Sequence, residues 1–391
     1  MSLLQLPAEL VDAVLSYLWA EEDRVSLWEC SLTCKALVSP AQAYIFRNLK
    51  LTMPSPDVPA ILEYRVHIRP LIQHLELVEL HKPWIQRDKT THRTFELLSS
   101  YITSLKIFQR RQDIDRPRFE LSCLSQLKSL EKIFLSEELR GGNFGKPMHG
   151  DVALITLLNH FPNLRAIDFH SCLVPNQIID KSSQKAPPIF HLEALKIRLC
   201  QDSFTLNWLI PATASLRNLH FRVPPAEEQP IFWDILERVI EVSAGSLEHL
   251  TIRDVDLILE ANRKSLMTKI HLHGAALRSM SLVIGTVGVE AVHQLSFIAH
   301  CLHTIETLPQ LRHLTLGLYG RVKLEDIYPN DLETLLVGNN FPVLCNVDIC
   351  PSLVLLNLAE RSSPDVFFAA FPQLVQRRML SVRFTGEFDW H

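Results

Sequence analysis

The sequence predicts an α/β fold in which a short N-terminal helical module precedes a long solenoid of parallel strands with helical returns. Three observations carry that reading. A six-residue pattern, apolar-x-x-apolar-x-apolar, recurs along most of the chain. Successive copies start 24 to 34 residues apart, which leaves about 20 residues for a loop and a helix between parallel strands. Residues 1–45 lack the pattern and place apolar residues at helical spacing instead.

The module opens with Leu6-Pro7. Proline suits the first turn of a helix, because its missing N–H would have no intrahelical partner there. Leu10, Val11, Val14, Leu15 and Leu18 then fall on one helical face. The acidic linker Glu21-Glu22-Asp23 follows, and a second run puts Leu27, Cys30, Ser31 and Cys34 on one face. Ser39-Pro40 is expected to break that run, with Ala41 to Phe46 forming a third short helix.

In the repeats, the last two apolar residues of a copy flank a polar one, except at Ile133-Phe134-Leu135, as in a short strand with one buried face. The copies are Ile72/Leu75/Leu77, Ile102/Leu105/Ile107, Leu130/Ile133/Leu135, Leu164/Ile167/Phe169 and Leu192/Leu195/Ile197. They continue as Leu216/Leu219/Phe221, Leu247/Leu250/Ile252, Leu277/Met280/Leu282, Leu311/Leu314/Leu316 and Leu344/Val347/Ile349. Phe46/Leu49/Leu51 and Met379/Val382/Phe384 extend the series at each end. Helical returns are predicted where Pro230 precedes the amphipathic run Ile231 to Ile240, where Asp151 caps Val152 to Asn159, and over Val289 to Ile305. Met53 to Pro59, Arg140 to Gly150 and Asn176 to Pro188 read as loops, the first a junction and the others on one rim. A doubly wound α/β domain also alternates strands and helices, but the repetition of the strand motif itself favours a solenoid.

Composition narrows the functional classes. A net charge of −4 gives no global preference for nucleic acid or anionic membrane. The run Gln109 to Arg118 is basic, but Asp113 and Asp115 interrupt it, so a solvated loop is expected. The N-terminus lacks early basic residues and carries Glu9 and Asp12, so no signal peptide is expected, nor any transmembrane helix. Eight scattered cysteines form no C-x-x-C pair and read as reduced thiols of an intracellular protein. Phosphate-binding, zinc-protease and nucleophile-elbow motifs do not occur, and neither does a RING-like Cys/His array. No metal, cofactor or catalytic residue is therefore assigned.

Leu6, Pro7, Glu9, Leu10, Leu15, Leu18, Leu27, Cys30, Ser31, Leu32, Thr33, Cys34 and Lys35, taken in order, resemble an F-box of the form common in fungal F-box proteins. The segment Tyr44 to Leu51 is also typical of that group. Many F-boxes carry a tryptophan two residues after the basic residue, where this chain has Leu37. The remainder is similar to an irregular leucine-rich repeat of the ribonuclease-inhibitor-like kind, a horseshoe with a parallel concave sheet. The asparagine usual in such repeats is mostly missing. On this resemblance residues 1–45 form the F-box and residues 46–391 the solenoid. The resemblance implies a non-catalytic substrate receptor of an SCF-type (cullin-RING) ubiquitin ligase, cytoplasmic or nuclear. The F-box would dock a Skp-family adaptor, and through it a cullin, with Leu6, Pro7, Leu10, Leu15, Leu18, Leu27 and Lys35 as candidates. Leu15 and Leu18 are also candidates for internal packing alone. The alternative is an interaction scaffold in which these helices only cap the solenoid, since a terminal repeat must cover its apolar edge.

The target is expected on the strand face. The residue between the last two apolar positions of a copy, and the one after them, point away from the buried side. Those positions hold Lys196 and Arg198, then His220 and Arg222, then Thr251 and Arg253. The three arginines share one place on neighbouring strands, about 4.8 Å apart. Such a row suits an acidic or phosphorylated protein segment. Its bland counterpart is a solvated face neutralised by Asp254 or by Asp168 on the preceding strand.

Overall fold

The computed structural model describes residues 7–20, 23–79, 84–111, 122–139, 152–170, 186–198, 203–222, 229–255, 276–285, 295, 298–299, 302, 308–319, 330–351 and 364–384. The class is α/β, with parallel strands and helical returns. The chain forms two compact units, Met1–Ala166 and Ile167–His391. The helices expected over 1–45 lie within the first of these units. They belong with the first four strands.

In the first unit, α1 (Ala8–Ala20), α2 (Arg24–Thr33) and α3 (Lys35–Ile45) share a small core of Leu15, Leu27 and Ala41. Val11, Leu18, Trp19 and Tyr44 pack against it. Pro7 stands one residue ahead of α1, and its carbonyl accepts from the N–H groups of Leu10 and Val11. Asp23 caps α2 by accepting from the Ser26 N–H at 3.0 Å, which satisfies one of the orphan donors of a helix start. The break between α2 and α3 falls at Cys34, in extended backbone, rather than at Ser39-Pro40. Pro40 lies inside α3. Its missing N–H costs one hydrogen bond to the preceding turn, while Leu37 and Ala41 bury the face that holds the helix in place. The junction expected over Met53 to Pro59 ends early, because α4 (Asp57–Tyr64) already includes Pro59 in its first turn.

Four strands follow the helices: β1 (Asn48–Leu51), β2 (His74–Glu79), β3 (Ser104–Arg111) and β4 (Lys132–Leu139), parallel and in chain order. Their register aligns equivalent motif positions. Leu49, Leu75, Leu105 and Ile133 form one row, and Leu51, Leu77, Ile107 and Leu135 the next. The first apolar residues, Ile72, Ile102 and Leu130, are buried ahead of the strands. β3 extends to Arg111, so Gln109 to Arg111 of the basic run are strand, and the rest of that run lies outside the described residues. At the strand ends the buried Glu79 carboxylate accepts from the Trp84 and Ile85 N–H groups and from Gln109 Nε2. Three donors satisfy a group whose unpaired burial would be costly.

The second unit repeats the plan with β5 (Ala166–His170), which begins at the last residue of the first unit, then β6 (Ala194–Arg198), β7 (Asn218–Arg222) and β8 (His249–Val255). β9 (Ser279–Gly285), β10 (His313–Tyr319), β11 (Asn346–Pro351) and β12 (Leu380–Val382) complete it. Leu195, Leu219, Leu250, Met280, Leu314 and Val347 share one register row. The final copy is displaced from the expected one: Val347 and Ile349 align with Leu380 and Val382, not with Val382 and Phe384. The return over Gln229–Ser243 contains the predicted run Ile231 to Ile240 and extends it by two residues at its start and three at its end. Over Val289 to Ile305 the described Leu295, Ile298, Ala299 and Leu302 are helical and buried, at the spacing of one helix face. The helix Val152–Leu158 matches its prediction, while Asp151 and the loop Arg140 to Gly150 lie outside the described residues. So does Asn176 to Pro188, apart from Ala186 to Pro188.

One backbone device recurs in both units. A carbonyl just ahead of a strand accepts two successive N–H groups from the next copy, all at 2.8–3.1 Å. Gln73 O accepts from Thr103 and Ser104, and Thr103 O from Glu131 and Lys132. Glu193 O likewise accepts from Arg217 and Asn218, and Arg312 O from Cys345 and Asn346. Backbone donors at each strand entry are thereby satisfied without a side chain. Ser129, Asn163 and Ser246 add side-chain bonds to carbonyls of the preceding copy. These ties set the spacing of copies that mostly lack the expected asparagine.

Candidate functional site

The candidate residues lie on two surfaces, one in each unit. The first is the outer face of the N-terminal helices. The helical stripe of α1 is divided by packing: Leu15 is buried, Val11 and Leu18 are half-buried, and Leu10 and Val14 face solvent. Leu10, Val14 and Tyr17 make an exposed apolar stripe on α1, and Val25, Trp28 and Leu32 make one on α2. Leu32 is 82% exposed and Val25 69%, extreme values for aliphatic side chains. Six of the fifteen large exposed hydrophobic residues described in the chain thus fall on these two helices.

The candidate adaptor contacts divide accordingly. Pro7, Leu10 and Lys35 are exposed, and Leu6 lies outside the described residues. Leu15 and Leu27 are interior residues, 2% and 0% exposed, and hold the helices together rather than offering a contact surface. Leu18 joins the same core. Val14, Tyr17, Val25 and Trp28 were not among the candidates. On α2 the spacing Val25, Trp28, Leu32 (i, i+3, i+7) signals a second apolar stripe that the packed stripe at Leu27 and Ser31 obscures.

The second surface is the strand face of β5 to β8. Register sets Lys196 beside His220 and Thr251, and Arg222 beside Arg253. Beyond Arg253 the row continues with Val283 and Gly317. The basic segment therefore ends at β8. A Cβ on Gly317 would stand 2.9 Å from the Val283 methyl carbons, so the two strands meet closely there.

Arg198 is committed. Its Nη2 donates to Asp168 Oδ2 at 2.6 Å, with both side chains largely buried. Arg222 and Arg253 are half-buried and also engaged in contacts of their own. Burial, helped by Arg253, Arg198, Lys196 and Arg222, holds His220 down to about 3. His170 is lowered by burial and by Arg198, against the opposing pull of Asp168. Both imidazoles are thus neutral near neutral pH, and the positive charge of this face resides in Lys196 and the guanidinium groups.

Elsewhere the chemistry is quiet. Burial pushes the Cys123 and Cys350 thiols up to about 11, which disfavours the thiolate that a nucleophile needs. Among the described residues, no three or more His, Cys, Asp or Glu side chains are grouped to hold a metal ion. None of the described helices is long and apolar enough to cross a membrane. No model of a known protein family matches the chain, and a search of curated proteins returns no match.

Proposed function

We propose that this chain is the target-recognition subunit of an SCF-type ubiquitin ligase, with α1–α3 as its F-box and the strand repeats as an irregular leucine-rich-repeat horseshoe. The observation that carries the reading is the pair of apolar stripes on α1 and α2. Six large hydrophobic side chains in solvent are costly unless a partner covers them. A Skp-family adaptor, bridging to a cullin, is the occupant that the F-box resemblance implies. Leu10, Val14 and Tyr17 with Val25, Trp28 and Leu32 then supply the contact, and Lys35 lies at its edge.

The receptor itself does no covalent chemistry. It holds a target near an activated thioester carried by other subunits, so proximity is its catalytic lever. The target lies against the face of β6 to β8, where an acidic or phosphorylated segment meets Lys196, Arg222 and Arg253. A guanidinium tied through one nitrogen keeps further donors for a ligand, so Arg198 also contributes. A cytoplasmic or nuclear location follows from the same reading. A scaffold whose helices merely cap the repeats is the second reading, favoured by the grouping of α1–α3 with β1–β4 in one compact unit.

Affinity capture with the full chain separates the two. The receptor reading predicts capture of the adaptor, and it predicts that Arg198→Glu, Arg222→Glu and Arg253→Glu together leave that capture intact while changing the set of bound targets. A chain that captures no adaptor is a scaffold.

A further inference from the structure

The first unit contains a pocket of about 570 Å³ where α1–α3 meet the face of β1–β4. That is the size of a small-molecule site. Its floor follows the register: Lys50, Glu76 and Lys106 lie in one row across β1 to β3, and His74 and Lys132 belong to the row beside it. Trp19, Tyr44 and Arg24 come from the helices.

The charge of this pocket is lopsided. Arg24, Lys50, Lys106 and Lys132 line it, and Glu76 is the one carboxylate among the described lining residues. Lys50 Nζ holds Glu76 Oε1 at 2.5 Å, so that carboxylate is already neutralised. Among the described residues Lys106 and Lys132 have no ion-pair partner, although they stand on adjacent strands. Arg47 adds a further cation behind the wall, its guanidinium 5.0 Å from the Trp19 ring centroid and 5.9 Å from that of Tyr44. The crowding registers on His74, which burial and then Arg47, Lys132 and Lys106 hold down to about 4. In a chain of net charge −4 this excess is local, and like charges set side by side on a sheet cost stability unless an anion sits among them.

We propose that this pocket binds a phosphate monoester, its dianion seated between Lys106 and Lys132 and its organic group against Trp19. Lysine serves phosphate as a point charge and needs no forked geometry. A dianion matches two unpaired ammonium groups where a single carboxylate would leave one unanswered. Trp19 and Tyr44, with ring planes tilted by 49° and centroids 6.4 Å apart, supply an angled aromatic wall of the kind that positions the organic part of a ligand. The ester has two possible sources, a free phosphorylated metabolite or a phosphoserine of a protein partner.

Calorimetry on the full chain tests this with AMP and with a capped phosphoserine peptide, against adenosine and the unphosphorylated peptide. At least one phosphorylated probe binds, its control does not, and the stronger probe identifies the source. Lys106→Gln with Lys132→Gln weakens binding by about tenfold or more. Both side chains are exposed, so the fold tolerates the change, and the two single variants serve if the double one does not fold. Glu76→Gln does the opposite. It removes the carboxylate and releases Lys50, so the phosphorylated probe binds more tightly. Trp19→Phe diminishes the tryptophan fluorescence response to the ligand. The proposal is overturned if neither phosphorylated probe binds at millimolar concentration, if the lysine variants bind unchanged, or if Glu76→Gln weakens binding.

Discussion

The strand faces of the two units carry the same sign of charge but hold it differently. In the first unit Lys106 and Lys132 are exposed beside a pocket, without an ion pair among the described residues. In the second, Arg198 and Asp168 are only 24% and 17% exposed and bonded at 2.6 Å, and Arg222 and Arg253 are half-buried among their own contacts. A row of cations on a sheet is therefore not one kind of site. Held guanidinium groups form a stiff surface that suits a broad partner. Free ammonium groups around a cavity suit a small anion that enters and leaves.

The largest effect tests what the two faces share. Leu105→Ala in the first unit and Leu250→Ala in the second each remove a fully buried side chain from a register row. Each is expected to cost about 2–5 kcal/mol in a denaturant melt, because the stacked rows cannot collapse to fill the gap. Equal losses mean that the same kind of core packing supports each face.

A smaller effect separates them. Asp168→Ala strips the partner from the largely buried Arg198 and is expected to cost about 1–3 kcal/mol. Lys106→Ala removes an exposed charge and should stay within about 0.5 kcal/mol. If Lys106 costs as much as Asp168, its charge is structural and the contrast between the faces disappears.

The mildest probe is pH. His220 and His74 are held below 6.5, to about 3 and about 4. Between those values and 6.5 the unfolded chain binds protons that the folded chain refuses, so the imidazoles destabilise the fold progressively as pH falls through that window. Above 6.5 both states are neutral and the penalty vanishes. His220→Gln should flatten the fall in melting temperature between pH 6.5 and 4, and His74→Gln should flatten it less, since its shift is smaller. An unchanged profile in His220→Gln would show that this histidine is not buried among cations.

The strand repeats were legible because a period of two is unambiguous when each copy buries only one face. The last copy was misplaced because Leu380, Val382 and Phe384 alternate without a break, so two registers fit the same apolar pattern. The end of α2 was misread because a proline is a strong stop signal, yet Pro40 is carried inside α3 by the burial of Leu37 and Ala41. The alignment of Arg222 with Arg253 followed from counting, and Asp168 on the preceding strand was legible as a neutralising partner, but the degree to which these side chains are held did not follow, since it depends on burial. The pocket of the first unit was invisible for a similar reason. Its residues run from Trp19 to Lys132, and only the register of the strands brings them together.

The central claim is that the exposed stripes on α1 and α2 dock an adaptor. The most direct measurement is capture of a purified Skp-family adaptor by the full-length chain, compared with a Val25→Asp, Leu32→Asp variant. Both positions face solvent, so the variant should keep the parent's melting temperature. The account predicts a stoichiometric complex with the parent chain and a loss of affinity of about 100-fold or more in the variant, because two desolvated carboxylates would lie in an apolar contact. A parent chain that captures no adaptor, or a folded variant that captures it equally well, would contradict the claim.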